Sequence, residues 1–123
     1  MKTENQLEKF GKFLVENLRD KGIRKAERLL KDEFRAPALL NLQADLYELL
    51  EEQKELVKKT VTICIDSAIH DFLFALQERA DFENDIQILV DGQNIVALSD
   101  GIHGEAYSDE GWYAKYSKYP ECS

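Results

Sequence analysis

The chain has 123 residues, of which 44% are apolar and 33% are charged, a mixture typical of one soluble globular domain spanning residues 1–123. Its formal net charge is -8, which makes bare nucleic acid and anionic membrane surfaces unsuitable partners. Residues 1–60 carry a net charge of +1 and residues 61–123 carry -9, so the acidity belongs to the second half.

The spacing of apolar residues predicts three packing helices within residues 1–54. The first covers residues 4–20 and is expected to end at Gly22, since glycine readily adopts the left-handed conformation that ends helices. A short second helix ends near Phe34, because Pro37 disfavours helical geometry at the residue before it. Pro37 itself suits the first turn of the third helix.

A long central helix is predicted over residues 55–80. Residues 60–65 alternate like a strand, but no glycine or proline separates them from the helical pattern that follows, so one continuous helix is favoured. Its apolar positions cover half of the circumference and include Cys64 as a small core residue. Ile63 and Phe74 lie in the otherwise polar arc, which predicts that a later segment covers that arc as well.

An antiparallel meander of three or four strands is predicted over residues 85–118. The dipeptide Asp91-Gly92 stands between two alternating runs and predicts a tight hairpin turn. Turn clusters at residues 99–101 and 108–111 bracket two further strands. With helices first and the sheet second, the predicted fold class is α+β.

The two histidines stand among acids and form the first candidate site, for catalysis or for a metal ion. Asp66 and His70 are four residues apart and share a helix face, while His103 and Glu105 are two apart on a predicted strand. If the meander covers the helix, the four side chains can perform general acid-base or water-activating chemistry. Because the spacing matches no named metal motif, an ordinary hydrogen-bonding pair on the helix surface is the favoured alternative.

The second candidate is a binding surface that is rich in aromatic and acidic residues. Five of the chain's 12 aromatic residues lie within residues 107–119, and acids are interleaved with them. Such a surface suits a basic protein partner or a cationic ligand, through charge pairing and cation-π contact, whereas core packing is the alternative. The predicted binding residues are Tyr107, Trp112, Tyr113, Tyr116, Asp100, Asp109 and Glu110.

Known catalytic motifs are missing from the sequence. It contains no glycine-rich phosphate loop, no Gly-x-Ser-x-Gly elbow and no Cys-x-x-Cys pair, and no cofactor is predicted. We expect a small acidic binding protein, of the inhibitor or immunity type, that engages a basic protein partner through its C-terminal half and is not an enzyme. The alternatives are a small enzyme or metal-binding protein built on the Asp/His/Glu cluster, and a homodimer.

The sequence also predicts a compartment. Residues 1–10 lack the apolar core of a secretory signal, and the longest apolar runs have about five residues, against the roughly 20 needed to span a bilayer. Cys64 and Cys122 are placed like reduced thiols. These features predict a cytoplasmic protein without a membrane segment.

Overall fold

The computed structural model describes residues 5–120. Its first element is a long helical stretch that consists of three parts. The parts are α1 (Gln6–Leu14), a π-helical turn (Val15–Arg19) and α2 (Asp20–Leu30). The side chain of Asn5 accepts a hydrogen bond from the backbone N–H of Glu8 and so satisfies one of the free donors at the helix start. The π turn holds one extra residue within the helix.

The predicted helix end at Gly22 is wrong, because α2 continues through this residue. A Cβ atom at position 22 would lie 2.7 Å from the Cδ1 atom of Ile65. The glycine therefore permits a close approach between two helices, and it does not turn the chain. Helical geometry instead ends at Leu30, shortly before the expected position near Phe34.

Two further helices follow, α3 (Pro37–Tyr47) and α4 (Glu51–Phe82). The structure confirms Pro37 in the first turn of α3 and a helical conformation throughout residues 60–65. With 32 residues at 1.5 Å per residue, α4 is about 48 Å long. Gln43 is buried and binds the backbone of Phe34 with both groups of its amide, which fastens α3 to the end of α2.

The predicted hairpin at Asp91-Gly92 is confirmed in a short form. Strands β1 (Leu89–Val90) and β2 (Gln93–Asn94) pair antiparallel, and both turn residues have positive φ, as this turn requires. The longer meander of three or four strands is not confirmed. The fold thus combines helices with one small antiparallel sheet, and at that level it agrees with the predicted α+β class.

After the hairpin, the chain forms single turns where further strands were expected. It contains 3₁₀ turns at Ile95–Leu98 and Ile102–Gly104, and the short helix α5 (Trp112–Tyr116). A Cβ atom at Gly111 would collide with the backbone carbonyl of Tyr107, so the chain folds back on itself there. Such close local returns are incompatible with extended strands. We call residues 95–119 the C-terminal segment.

The core lies between α1, the second half of α4 and the C-terminal segment. Trp112 fills its centre and packs against Gly11 of α1, where a side chain would collide with the indole ring. The buried apolar residues of this core are Leu7, Val15, Ile69, Leu73, Leu76, Ile95, Val96, Ile102, Ala106, Trp112 and Tyr113.

The buried face of α4 differs from the predicted apolar arc. Thr62 and Asp66 are buried together with Ile69, Leu73 and Leu76. Cys64 is exposed, so its predicted place in the core is wrong. Half of the predicted apolar arc therefore remains uncovered. Within residues 5–120, no helix is both long enough and apolar enough to cross a membrane.

Candidate functional site

The two histidines meet where the C-terminal segment covers α4. The ring centroids of His70 and His103 are 5.5 Å apart, with the rings nearly perpendicular. Phe74 stacks beside His70 at 6.4 Å and points its edge toward His103 at 4.9 Å, and the ring of Tyr107 lies 6.1 Å from His70. We call these four residues the aromatic-histidine cluster.

Helix geometry and one tight turn bring the cluster together. His70 and Phe74 are four residues apart and therefore share a face of α4. One turn further along, the side-chain oxygen of Gln77 accepts a hydrogen bond from the backbone N–H of Ile102 and fixes the 3₁₀ turn that carries His103. The predicted covering of this arc of α4 is therefore only partial, because the 3₁₀ turn contacts the arc near His70 and Gln77 while Ile63 and Phe74 stay 41% and 44% exposed.

The imidazole groups have limited polar contact with the protein. Nδ1 of His103 is buried and has no hydrogen-bond partner among the described residues. Nδ1 of His70 lies 3.3 Å from the carboxylate of Asp71, its neighbour in the chain. The cluster therefore offers a ligand aromatic faces, a nearby carboxylate and one buried nitrogen.

The predicted four-residue site does not assemble, because both of its carboxylates are engaged elsewhere. Asp66 binds the guanidinium of Arg19, and Glu105 accepts a hydrogen bond from the hydroxyl of Ser99. No group of three or more metal-ligating side chains occurs in the part of the chain that the structure describes. Of the four candidates, the structure brings only His70 and His103 into one cluster.

The partner of Asp66 is a residue that the sequence analysis missed. Arg19 is fully buried and donates two hydrogen bonds to the Asp66 carboxylate, over 2.5 and 3.2 Å. The signal for it was present, since Arg19 occupies the same helical row as Val15 and Ile23, which are both buried. A charge in an apolar row predicts a buried partner of opposite charge.

Arg19 also holds the end of the C-terminal segment. Its Nη1 atom donates to the hydroxyl of Ser117 and to the backbone carbonyl of Tyr119, and its guanidinium lies 4.1 Å from the centroid of the Tyr113 ring. The Ser117 hydroxyl in turn donates to Asp20. This network explains how a segment without strands keeps a defined position.

Two of the four predicted aromatic binding residues are buried, and the other two are half-buried. Trp112 and Tyr113 are 0% and 1% exposed, and the hydroxyl of Tyr116 donates to the carboxylate of Glu8. These placements favour core packing, which the sequence analysis gives as the alternative to a binding role for the aromatic residues. Tyr107 is half-buried within the aromatic-histidine cluster, and the predicted acids Asp100, Asp109 and Glu110 are exposed.

Two carboxylates of the N-terminal helices bind this aromatic segment. Burial acts to raise the pKa of Glu8, but the hydrogen bonds from Lys115 and Tyr116 and the charge of Lys115 outweigh it, so the pKa lies below its ordinary value. Glu27 binds Lys58 and the Tyr119 hydroxyl in the same way. Burial and the hydrogen bond to Glu27 raise the pKa of Tyr119 to about 12.

An acidic stretch of chain borders the aromatic-histidine cluster. Residues 71–110 contain ten acids against one base, Arg79, which is itself paired with Glu83 and Asp85. Asp71 adjoins His70 in the chain, and Asp109 closely follows Tyr107. No family of known proteins, no curated protein and no solved structure matches this chain.

Proposed function

We propose that this chain is a small acidic protein that binds a basic protein partner, as inhibitors and immunity-type proteins do. The observation that carries the proposal is the aromatic-histidine cluster together with the acids that border it. The contact surface comprises Phe74 and Tyr107 of the cluster with Asp100, Asp109 and Glu110. Trp112 and Tyr113 support this surface from the core and do not touch the partner.

The charge distribution supports a basic partner. Residues 71–110 contain no lysine and one arginine, which is paired with Glu83 and Asp85, and Lys9 compensates Asp91, so most of the exposed acids of this stretch face solvent with little compensation. Their summed field speeds the approach of a positively charged surface and slows that of a negative one.

The rings supply a specific contact within this field. The side chain of Phe74 is 44% exposed, which leaves one face of the cluster open to a ligand. A lysine or arginine side chain laid over the exposed ring gains cation-π energy, about 0.5–2 kcal/mol depending on how far it is desolvated. The acids would attract the partner, and the ring would select the inserted cation.

Affinity capture tests the charge requirement. The chain is immobilised and exposed to a lysate of its own source at about 0.05 M and about 0.5 M salt, a range over which exposed charges become screened. We expect a basic protein to be retained at low salt and released at high salt. Recovery of neutral or acidic proteins alone, without salt dependence, would contradict the proposal.

Matched variants locate the surface. Asp100→Asn, Asp109→Asn and Glu110→Gln together should abolish capture. The control triple Asp45→Asn, Glu48→Gln and Glu52→Gln removes three exposed charges from the other half of the chain and should leave capture intact. Phe74→Ala should raise the dissociation constant of the captured protein by about 2- to 30-fold. Equal losses in both triples would indicate an effect of net charge alone.

A second candidate is a metal-binding or acid-base site at the same cluster. One observation favours it, namely that the ring centroids of His70 and His103 are 5.5 Å apart, a separation at which two imidazoles can share one ion. Against it, Asp66 and Glu105 bind Arg19 and Ser99.

A further inference from the structure

One side of α4 carries a largely exposed row of residues that is apolar except at Arg79. Its members follow the alternating four- and three-residue spacing by which helices pack together in coiled coils. Phe72 and Phe82 are 53% and 83% exposed, and the other members are exposed or half-buried. We call this row the seam, and it consists of Val61, Ile65, Ala68, Phe72, Ala75, Arg79 and Phe82.

The seam continues into a groove on the neighbouring helical stretch. The groove encloses about 510 Å³ between α4 and a wall formed by Leu14, Leu18 and Gly22. Leu18 is 51% exposed, and Gly22 adds no side chain, which keeps the groove open. At 3.6 residues per turn, the seam lies on the side of α4 opposite His70 and Phe74.

We infer that the seam binds a second copy of this chain, with the two α4 helices antiparallel and crossing between Ala68 and Phe72. This inference is independent of the proposed partner surface, which lies on the other side of α4. The resulting contact is isologous, so each copy presents the same residues to the other.

Side-chain sizes select the antiparallel arrangement. About a two-fold axis between positions 68 and 72, Phe72 faces Ala68 of the second copy and Ile65 faces its Ala75. These two central layers each join a large side chain with a small one, which is how helix cores fill space, while farther out Val61 faces Arg79 and Phe82 faces Lys58. A parallel pair would instead place Phe72 against Phe72 and leave a gap between two Ala68 methyl groups.

Charge selects the same orientation. The second half of α4 carries Asp71, Glu78 and Asp81 against one arginine, whereas residues 59–69, which lie opposite residues 71–81 in this arrangement, carry one lysine and one acid. An antiparallel pair lays the acidic half of each helix beside the neutral half of the other. A parallel pair would set the two acidic halves side by side, which is unfavourable.

The exposed area of the seam indicates a weak contact in which the groove also takes part. At roughly 200 Å² for a whole phenylalanine ring, Phe72 and Phe82 together expose about 270 Å² per copy. A stable dimer buries about 800 Å² per partner. Leu18 and Ile86, both half exposed, add roughly 180 Å² per copy, so these four side chains supply a little more than half of that area, and we expect a weak dimer of micromolar affinity.

Sedimentation equilibrium on the full chain from about 1 to 200 μM tests the contact. The matched variants are Phe72→Asp and Phe74→Asp, two exposed phenylalanines on one helix but on different sides. Phe72→Asp should raise the dimer dissociation constant about 30-fold or more, and Phe74→Asp should leave it unchanged. A wild-type monomer across this range, or disruption by Phe74→Asp alone, would overturn the inference.

The orientation has its own measurement. Glu52→Cys is spin-labelled in a Cys64→Ser, Cys122→Ser background, and the distance between the two labels is measured by pulsed electron resonance. In the antiparallel dimer the labelled positions lie about 54 Å apart along the helix axis. A distance of about 10–20 Å would show a parallel pair and overturn the arrangement. If Phe72→Asp fails to fold by circular dichroism, Ala68→Glu repeats the test at the crossing point.

Discussion

The guanidinium of Arg19 and the carboxylate of Asp66 form a two-bond ion pair inside the protein, with side chains 0% and 8% exposed. Removing one partner leaves the other charge buried, which typically costs 3–5 kcal/mol. We therefore expect Arg19→Met to lower the free energy of unfolding by about 3 kcal/mol or more in urea denaturation. The Arg19 bonds to Ser117 and Tyr119 are lost as well.

The double variant Arg19→Met, Asp66→Leu separates these contributions. It removes the unpaired charge, so it should be clearly more stable than Arg19→Met alone. If the single and double variants are equally unstable, the loss of stability comes from the detached C-terminal segment. The cost of leaving the Asp66 carboxylate buried without a partner is then small.

The two helical glycines at close contacts should respond differently to alanine. In an exposed helix this change gains up to about 1 kcal/mol, but Gly11→Ala drives a methyl group into the rigid indole of Trp112. Overpacking of this kind costs about 1–3 kcal/mol, so we expect net destabilisation. Gly22→Ala meets only the mobile end of Ile65 and should be nearly neutral. Thermal melting of both variants checks the difference.

How far the sequence determined the fold depends on the kind of signal. Helical periodicity predicts α3 and α4 well, because a repeated apolar spacing averages over many residues. Asp91-Gly92 predicts its hairpin because the turn requires positive φ at both positions. The C-terminal segment lacks a repeating signal, since Ile95, Ile102 and Trp112 each enter the core separately. Only contacts with distant helices fix their positions.

The site shows the same division between local and distant information. The face shared by His70 and Phe74 follows from helix geometry. The diversion of Asp66 toward Arg19 does not, because the two residues are 47 positions apart. In the sequence, Arg19 is visible only as a charged residue in a row of apolar helix positions. No local rule predicts that its partner is Asp66.

Trp112 should act as a core residue in stability measurements. It is fully buried against α1, so Trp112→Ala removes the largest side chain of the core and should cost about 3–5 kcal/mol. Phe13→Ala serves as the control, since this aromatic residue is 65% exposed on α1 and should cost less than about 0.5 kcal/mol. A small loss of unfolding free energy for Trp112→Ala would contradict the core role and favour the predicted binding role of Trp112.

Acid should weaken the contact between Glu8 and the C-terminal segment. Folding lowers the pKa of Glu8 from its ordinary value of 4.5, so the unfolded chain takes up a proton more readily. Its stabilising contribution is complete above that value and is lost as the pH falls through the lower pKa of the folded protein. Glu8→Gln should therefore flatten the dependence of unfolding free energy on pH between about 5 and about 3.

The exposed Glu16, about two turns further along the same helical stretch, provides the control for Glu8. Glu16→Gln should leave the pH dependence close to that of the wild type. Part of the slope should survive in Glu8→Gln, because the bonds of Glu27 to Lys58 and Tyr119 lower the pKa of Glu27 below its ordinary value despite burial. A Glu8→Gln profile that matches the wild type would show that this contact contributes nothing to acid sensitivity.

Metal titration decides between the two candidate functions of the aromatic-histidine cluster. Zinc sites in proteins have three or four protein ligands, whereas this cluster offers the imidazoles of His70 and His103. We expect calorimetry with Zn²⁺, Mn²⁺ and Mg²⁺ to show no stoichiometric site, and 1 mM Zn²⁺ to shift the melting temperature by less than about 1 °C. A one-to-one Zn²⁺ site that is lost in both His70→Ala and His103→Ala would make metal binding the better account of the cluster, because an ion bound to the native state stabilises it by mass action.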